Sequence, residues 1–251
     1  MTQQEKAEAF VALHAGAPFV LPNPWDLGSA KVLEDLGYAA LATTSAGLAR
    51  ALGREDGELA LDQVVEHVHA LSAFSRLPVA VDLENGFGPQ PGDVATAITR
   101  IAEAGAVGAS IEDFDPAGGI YPRNVAVERL VAAIEAARAL DFPFTVTGRA
   151  ENFIRGNPDL DDTIARLVAY EEAGADVLYA PGLQAEQVRA VRAATSRPLN
   201  VLAYPEATLA ELADAGAQRV SLGSWLAHVA TQALTRAATA IRSDGDFSAL
   251  V

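Results

Sequence analysis

The sequence predicts a closed parallel barrel of eight strand–helix units, an α/β fold of the (β/α)8 TIM type. Three observations carry this. Short apolar runs alternate with amphipathic helical stretches from end to end. The runs do not alternate apolar with polar residues, so both faces of each strand are covered, as in a parallel sheet flanked by helices. A glycine-centred phrase recurs where a helix gives way to a strand: Leu36-Gly37-Tyr38, Ala104-Gly105-Ala106, Ala173-Gly174-Ala175 and Ala215-Gly216-Ala217. Glycine there ends the helix, and small neighbours let helix and sheet approach closely. Eight consecutive units with no linker favour closure over an open doubly wound sheet, in a single domain over residues 1–251.

Taken in order, Thr2–Ala15 is a helix with Thr2 as its cap, and Pro18–Leu21 is the first strand. Asp26 caps a helix to Leu36; Tyr38–Thr43 is the second strand, and Leu48–Leu61 a loop. Asp62–Phe74 is helical, Pro78–Asp82 the third strand, Pro91–Ala104 helical and Val107–Ile111 the fourth strand. Val125–Leu140 is helical and Phe144–Thr147 the fifth strand; a helix from Pro158-Asp159 to Ala173 leads to the sixth, Asp176–Tyr179. Gln184–Ala194, Pro198–Leu202, Glu206–Ala215 and Arg219–Leu222 complete the alternation. Trp225–Ile241 is the closing helix and Ser243–Val251 a frayed tail.

Composition narrows the function. A net charge of −15 argues against nucleic acid, whose phosphates demand a basic surface. No apolar run is long enough to cross a bilayer, and the N-terminus lacks the pattern of a signal peptide. The chain has no cysteine, which removes disulfides, thiolate metal sites and a cysteine nucleophile. The expectation is a soluble, cytoplasmic protein acting on a small molecule.

In such a barrel functional side chains come from the C-terminal ends of the strands. Those ends supply Asn23, Trp25 and Asp26; Thr44 and Ser45-Ala46-Gly47; Asp82 and Glu84; Glu112 and Asp113; Arg149 and Glu151. The sixth to eighth strands give only Tyr179, Ala180, Tyr204, Ser221 and Ser224. Acidic groups therefore gather on strands three to five. In Val79-Ala80-Val81-Asp82-Leu83-Glu84-Asn85-Gly86-Phe87-Gly88 two carboxylates share one side of a strand end, which is costly unless a cation offsets them. All-oxygen ligation points to Mg2+, with Mn2+ as the substitute. Arg149 then suits a substrate carboxylate, and Ser45, Ala46 and Gly47 offer backbone N–H donors to the same anion. A 2-oxo acid chelated to a metal is the substrate this set fits. Simpler roles stay open: Glu112-Asp113 as a capping pair, Arg149 neutralising Glu151 at the surface, Asp56 in a turn, Trp25 as rim packing or pocket wall. His14, His67, His69 and His228 fall on helices and read as structural.

The order of Asn23-Pro24-Trp25-Asp26, Thr44-Ser45-Ala46-Gly47, Gly53-Arg54-Glu55-Asp56, Val81–Gly88, Ile111-Glu112-Asp113 and Gly148-Arg149-Ala150-Glu151 resembles the isocitrate lyase/phosphoenolpyruvate mutase superfamily from about Pro22 to Trp225. The resemblance implies an oligomer, dimer or tetramer, that exchanges its last helix between neighbouring barrels. It implies Mg2+ bound directly by Asp82 and through water by Glu84 and Glu112, with Asp56 near those waters. Arg149 and the Ser45–Gly47 backbone would hold the 2-oxo acid, and Asp82 and Trp25 would border it. The chain departs from the family after the fourth strand. Phe114-Asp115-Pro116-Ala117-Gly118-Gly119-Ile120-Tyr121 replaces both the Lys-Lys-Cys-Gly-His loop of the lyases and the Pro-Lys-x-Asn loop of the mutases. Glu84 stands where many members have Asp, and the mutases' histidine after strand six is replaced near Tyr179-Ala180. The expected activity is a Mg2+-dependent carbon–carbon lyase or decarboxylase on a small 2-oxo or 2-hydroxy dicarboxylate, oxaloacetate- or methylisocitrate-like, passing through an enolate, with Tyr121 or water as proton donor. The alternatives are a phosphonopyruvate-type P–C bond enzyme and a 2-oxo acid binding protein without turnover.

Overall fold

The computed structural model describes residues 1–250, and its barrel forms as expected. Eight parallel strands run β1 Phe19–Leu21, β2 Leu41–Ala42, β3 Val79–Asp82, β4 Gly108–Glu112, β5 Thr145–Arg149, β6 Val177–Tyr179, β7 Leu199–Leu202 and β8 Arg219–Ser221. Their ladder order is β1-β8-β7-β6-β5-β4-β3-β2. At the remaining seam, between β2 and β1, the Ala42 N–H donates to the Pro22 carbonyl at 3.0 Å. Buried Asn23 reinforces it: its Nδ2 donates to the Thr43 carbonyl at 2.9 Å, and its Oδ1 accepts from the Leu222 and Gly223 N–H groups. One side chain therefore ties the ends of β1, β2 and β8 together.

Helices α1 Gln3–Ala15, α2 Leu27–Asp35, α3 Ser45–Ala51, α4 Leu61–Phe74, α5 Pro91–Glu103, α6 Arg123–Arg138, α7 Leu160–Glu172, α8 Ala185–Ala194, α9 Leu209–Asp214 and α10 Trp225–Asp244 surround the strands. Alternation along β5 shows how the layers divide. Val146 faces the helices, while Thr145, Thr147 and Arg149 line the barrel interior. A Cβ on Gly148 would come within about 3.0 Å of Leu130 and Tyr170, so glycine there lets α6 and α7 lie close on the sheet. The main core, with Val81, Ile111, Val146, Leu178 and Val201 from the strands, sits between barrel and helix ring. Helix α1, held by a Thr2–Glu5 capping box, closes the N-terminal end of the barrel with Phe10, which is fully buried.

Three expectations need revision. Ser45–Ala51 is a helix and not a turn leading into a loop, because Thr44 is extended and its Oγ1 caps the first turn. The segment after β4 forms a short antiparallel hairpin, Phe114–Asp115 with Gly119–Ile120. The closing helix runs on to Asp244 and ends at Gly245, whose φ of 63° only glycine adopts easily, so Ser243 and Asp244 of the expected frayed tail are helical and Ser248–Leu250 forms a 3-10 turn; Val251 lies outside the described residues. Helix α10 buries only Ala227 and exposes Trp225, Val229 and Leu234. No helix among the described residues is long and apolar enough to cross a membrane.

Candidate active site

A cavity of about 230 Å³ opens at the C-terminal ends of the strands and runs down into the barrel. Its mouth is lined by Ser45, Ala46, Asp56, Asp82, Arg149 and Arg155. It penetrates because the residues facing inward are small or polar: Ala42, Ala80, Ser110, Thr147 and Asn200 take the place of the bulky branched side chains that usually fill a barrel of this kind.

The rim is a knot of carboxylates around one arginine. Arg149 Nη1 donates to Asp82 Oδ1 at 3.0 Å, Nη2 stands 3.2 Å from Glu112 Oε2, and Nε donates to Glu151 Oε1 at 2.6 Å. Burial works against its charge, but Glu151, Glu112 and Asp82 more than offset that and hold its pKa above the ordinary arginine value. Its guanidinium also faces the Tyr179 ring at 5.3 Å. Glu151 is fully buried and accepts from a second arginine as well, Arg155 Nε at 2.9 Å, so the Arg149–Glu151 pair is an internal clamp and not a surface pair. Asp113 belongs to the scaffold. It accepts from Tyr170 Oη at 2.6 Å, Arg166 Nη1 at 3.0 Å and the Glu151 N–H at 2.8 Å, with no helix to cap.

The carboxylates are crowded. Burial pushes the Glu112 carboxyl well up, against the pull of Arg149. Glu84 is pushed up to about 7 by burial and by the charges of Asp82 and Asp56. Its Oε1 is buried with no hydrogen-bond partner among the described residues, and its backbone is held at φ 48°, which a non-glycine residue adopts only under constraint from its surroundings. Asp56 stands on the exposed rim of the glycine-flanked loop after α3; burial of its carboxyl and the charge of Asp82 push it up, while Ser45 pulls it down. A buried polar atom without a partner beside several like charges is one that an ordered water or a cation would satisfy.

The first turn of α3 faces this cluster. The Ser45 N–H and hydroxyl both donate to Asp82 Oδ2, at 3.1 and 3.0 Å, and the Gly47 N–H is used by Thr44. Ala46 lines the cavity, and no protein acceptor takes its N–H. Gly47 and Trp25 lie just outside: a Cβ on Gly47 would meet the Thr44 side chain and Trp25, so the pair packs the helix start against the barrel wall. Among the described residues no three His, Asp or Glu side chains converge to grip an ion directly. Tyr121 lines no part of the cavity; its ring lies under Arg129 at 4.8 Å and its hydroxyl accepts from Asn85 at 3.4 Å.

Sequence reading missed two sets of residues. Arg155 and the hairpin's Phe114 meet at the mouth, the guanidinium 3.9 Å above the ring. The signal was Arg155 four residues after Glu151, a spacing that lets the two pair across one turn. Deep in the barrel, Arg219 donates to Asn200 Oδ1 at 2.8 Å and Thr147 Oγ1 at 3.1 Å, and its Nη1 meets His14 Nε2 at 3.1 Å. The signal there was a charged and an amide residue inside apolar strands.

Comparison with known proteins identifies relatives over nearly the whole chain. Residues 10–242 match the family model described as phosphoenolpyruvate phosphomutase. A crystal structure of a candidate lyase/mutase from Burkholderia cenocepacia J2315 superposes with a TM-score of 0.96 at 51% identity, covering 99% of this chain and 92% of that one. An oxaloacetate decarboxylase of Rhodopseudomonas palustris strain HaA2 is 32% identical over 255 residues, which span 96% of this chain and 86% of the relative. An uncharacterized protein of Mycobacterium tuberculosis strain H37Rv is 32% identical over 235 residues, 93% of this chain and 88% of that one. The chain belongs to the phosphoenolpyruvate phosphomutase family and is by that membership an enzyme of the lyase and mutase type.

Proposed function

We propose that the protein is a divalent-metal-dependent carbon–carbon lyase, most simply a decarboxylase, acting on a small 2-oxo dicarboxylate of the oxaloacetate type. The observation that carries this is a buried Glu84 oxygen without a hydrogen-bond partner among the described residues, beside the charges of Asp82 and Asp56 and near a cavity with Asp82, Asp56 and Arg149 on its wall. The residues fit Mg2+ or Mn2+. Asp82 would bind the ion directly and Glu84 and Glu112 through water, since Mg2+ keeps several of its waters and needs few protein ligands. When bound, the ion would supply electrophilic pull at the 2-oxo oxygen, where negative charge develops as the carbon–carbon bond breaks.

The chain's own groups do the rest. Arg149 exchanges part of its hold on Asp82 and Glu112 for the substrate carboxylate, with Glu151 keeping Nε and therefore the fork's direction fixed. The N–H of Ala46 donates to the same carboxylate, favoured by its place in a helix's first turn. Ser45 orients Asp82 through two donors. Asp56, at the exposed lip, is our candidate for exchanging protons with the product carbon. The exposed apolar positions of α10 fit a homo-oligomer in which this helix packs on a neighbouring barrel.

Turnover of 2-oxo and 2-hydroxy diacids with Mg2+, followed as release of pyruvate or glyoxylate, tests the reading; no turnover of any diacid despite tight oxalate binding would leave a binding protein. A second reading, cleavage or rearrangement of a P–C bond, draws on the family model, and phosphorus NMR on phosphonopyruvate decides it.

A further inference from the structure

We infer that Arg155 and Phe114 form a subsite for a second carboxylate, and that this pair makes the cavity select 2-oxo dicarboxylates over monocarboxylates of the same length. The inference rests on the function proposed above and adds the residue that reads the far end of the substrate.

Two guanidinium groups border the mouth, and their hydrogen bonding differs. Arg149 directs all three of its nitrogens at carboxylates, Glu151, Asp82 and Glu112, within 2.6 to 3.2 Å. Among the described residues Arg155 is hydrogen-bonded only at Nε, by Glu151 Oε2 at 2.9 Å; its Nη2 makes a longer ion pair with Glu112 at 3.6 Å, beyond good hydrogen-bond distance, and its Nη1 has no acceptor. The side chain is 30% exposed and lines the cavity together with Ile154 from the turn that precedes it.

The free end is nonetheless fixed in place. Glu151 is fully buried and pins Nε, while the Phe114 ring lies 3.9 Å beneath the guanidinium and sets its plane. A planar fork held at one edge and on one face, with N–H donors left over, is pre-organised for a carboxylate in its own plane. Both Glu151 oxygens are already engaged, Oε1 by Arg149 Nε and Oε2 by Arg155 Nε, so this carboxylate makes no demand on the Nη groups of Arg155. Phe114 comes from the hairpin after β4 and Arg155 from the turn after β5, so two neighbouring strand ends meet in this pair.

Calorimetry with Mg2+ present tests the subsite, using malate, 2-hydroxybutyrate and oxalate. The first two have four carbons and differ by the far carboxylate; oxalate is too short to reach it. The wild type is expected to prefer malate over 2-hydroxybutyrate by roughly thirtyfold, the order that one charge-assisted hydrogen bond supplies. In Arg155→Met that preference falls to within about threefold while oxalate affinity holds within about twofold; Phe114→Ala, which leaves the charge in place, gives an intermediate preference. Preference for malate retained in Arg155→Met, or equal loss of malate and oxalate in a variant whose circular dichroism is native, overturns the assignment. A wild type that binds oxalate but shows no preference for malate also overturns it and leaves the proposed function standing. Failure of the wild type to bind even oxalate removes both.

Discussion

The two ends of this barrel bury charge in opposite ways. At the C-terminal rim, Asp82, Glu84, Glu112 and Glu151 crowd around Arg149; burial drives the Glu112 carboxyl up, Glu84 is pushed to about 7, and one Glu84 oxygen has no partner. At the floor the buried charge is a cation. Arg219 is brought down to about 10 by burial, and its neighbours are the neutral Asn200, Thr147 and His14. His14 itself is pushed down to about 3 by burial and by Arg219, so it accepts from the guanidinium as a neutral ring while the Phe10 carbonyl takes its other nitrogen. The floor is hydrogen-bonded and closed by α1. The rim instead gathers several carboxylates around one central guanidinium. In barrels of this kind, function at one end and stability at the other is the usual division.

That contrast can be broken from either side. The largest effect is expected at the rim: Asp82→Ala should lower the proposed metal-dependent turnover by about a thousandfold or more with little change in the melting temperature, because it removes the proposed direct metal ligand and relieves like-charge crowding. Full turnover in this variant without added metal would falsify the proposed chemistry. At the floor Arg219→Ala should do the reverse. It leaves Asn200, Thr147 and His14 without their donor and opens a cavity, for a loss of about 3 kcal/mol in urea unfolding.

Two smaller tests use pH. Glu84 has a folded-state pKa raised above its unfolded value, so its contribution to stability is fully present below the unfolded pKa and is lost as pH rises through about 7. The metal-free protein should therefore become less stable between about pH 5 and pH 8, by an amount that Glu84→Gln reduces and added Mg2+ reverses; a flat profile in urea titrations would count against a crowded rim. His14 has the opposite sign. Its folded-state pKa is depressed, so its contribution is present above the unfolded value near 6.5 and is lost as pH falls through about 3. His14→Gln should flatten that acid limb, and thermal melts between about pH 7 and pH 4 would show it.

Much of the rim was legible because it is local. Strand ends are marked by where apolar runs stop, so Asp82, Glu84, Glu112 and Arg149 could be placed at one mouth from spacing and the barrel rule together. The helix at Ser45 was hidden because Ser-Ala-Gly reads as turn chemistry until Thr44 is seen as its cap. Gly47 and Trp25 show the limit of strand-end reasoning: both follow a strand, yet they pack against each other and not on the cavity.

By itself the sequence determined the alternation of elements, hence the barrel, and which residue types stand at each strand end, because hydrophobic period and capping act over a few neighbours. Which of those residues meet was decided only by tertiary structure. Closure of the sheet brings Arg149 among three carboxylates, sets Arg155 on Phe114 and carries Arg219 down to His14, 205 positions away in the chain. Such contacts depend on side-chain direction and barrel geometry, which no local pattern encodes.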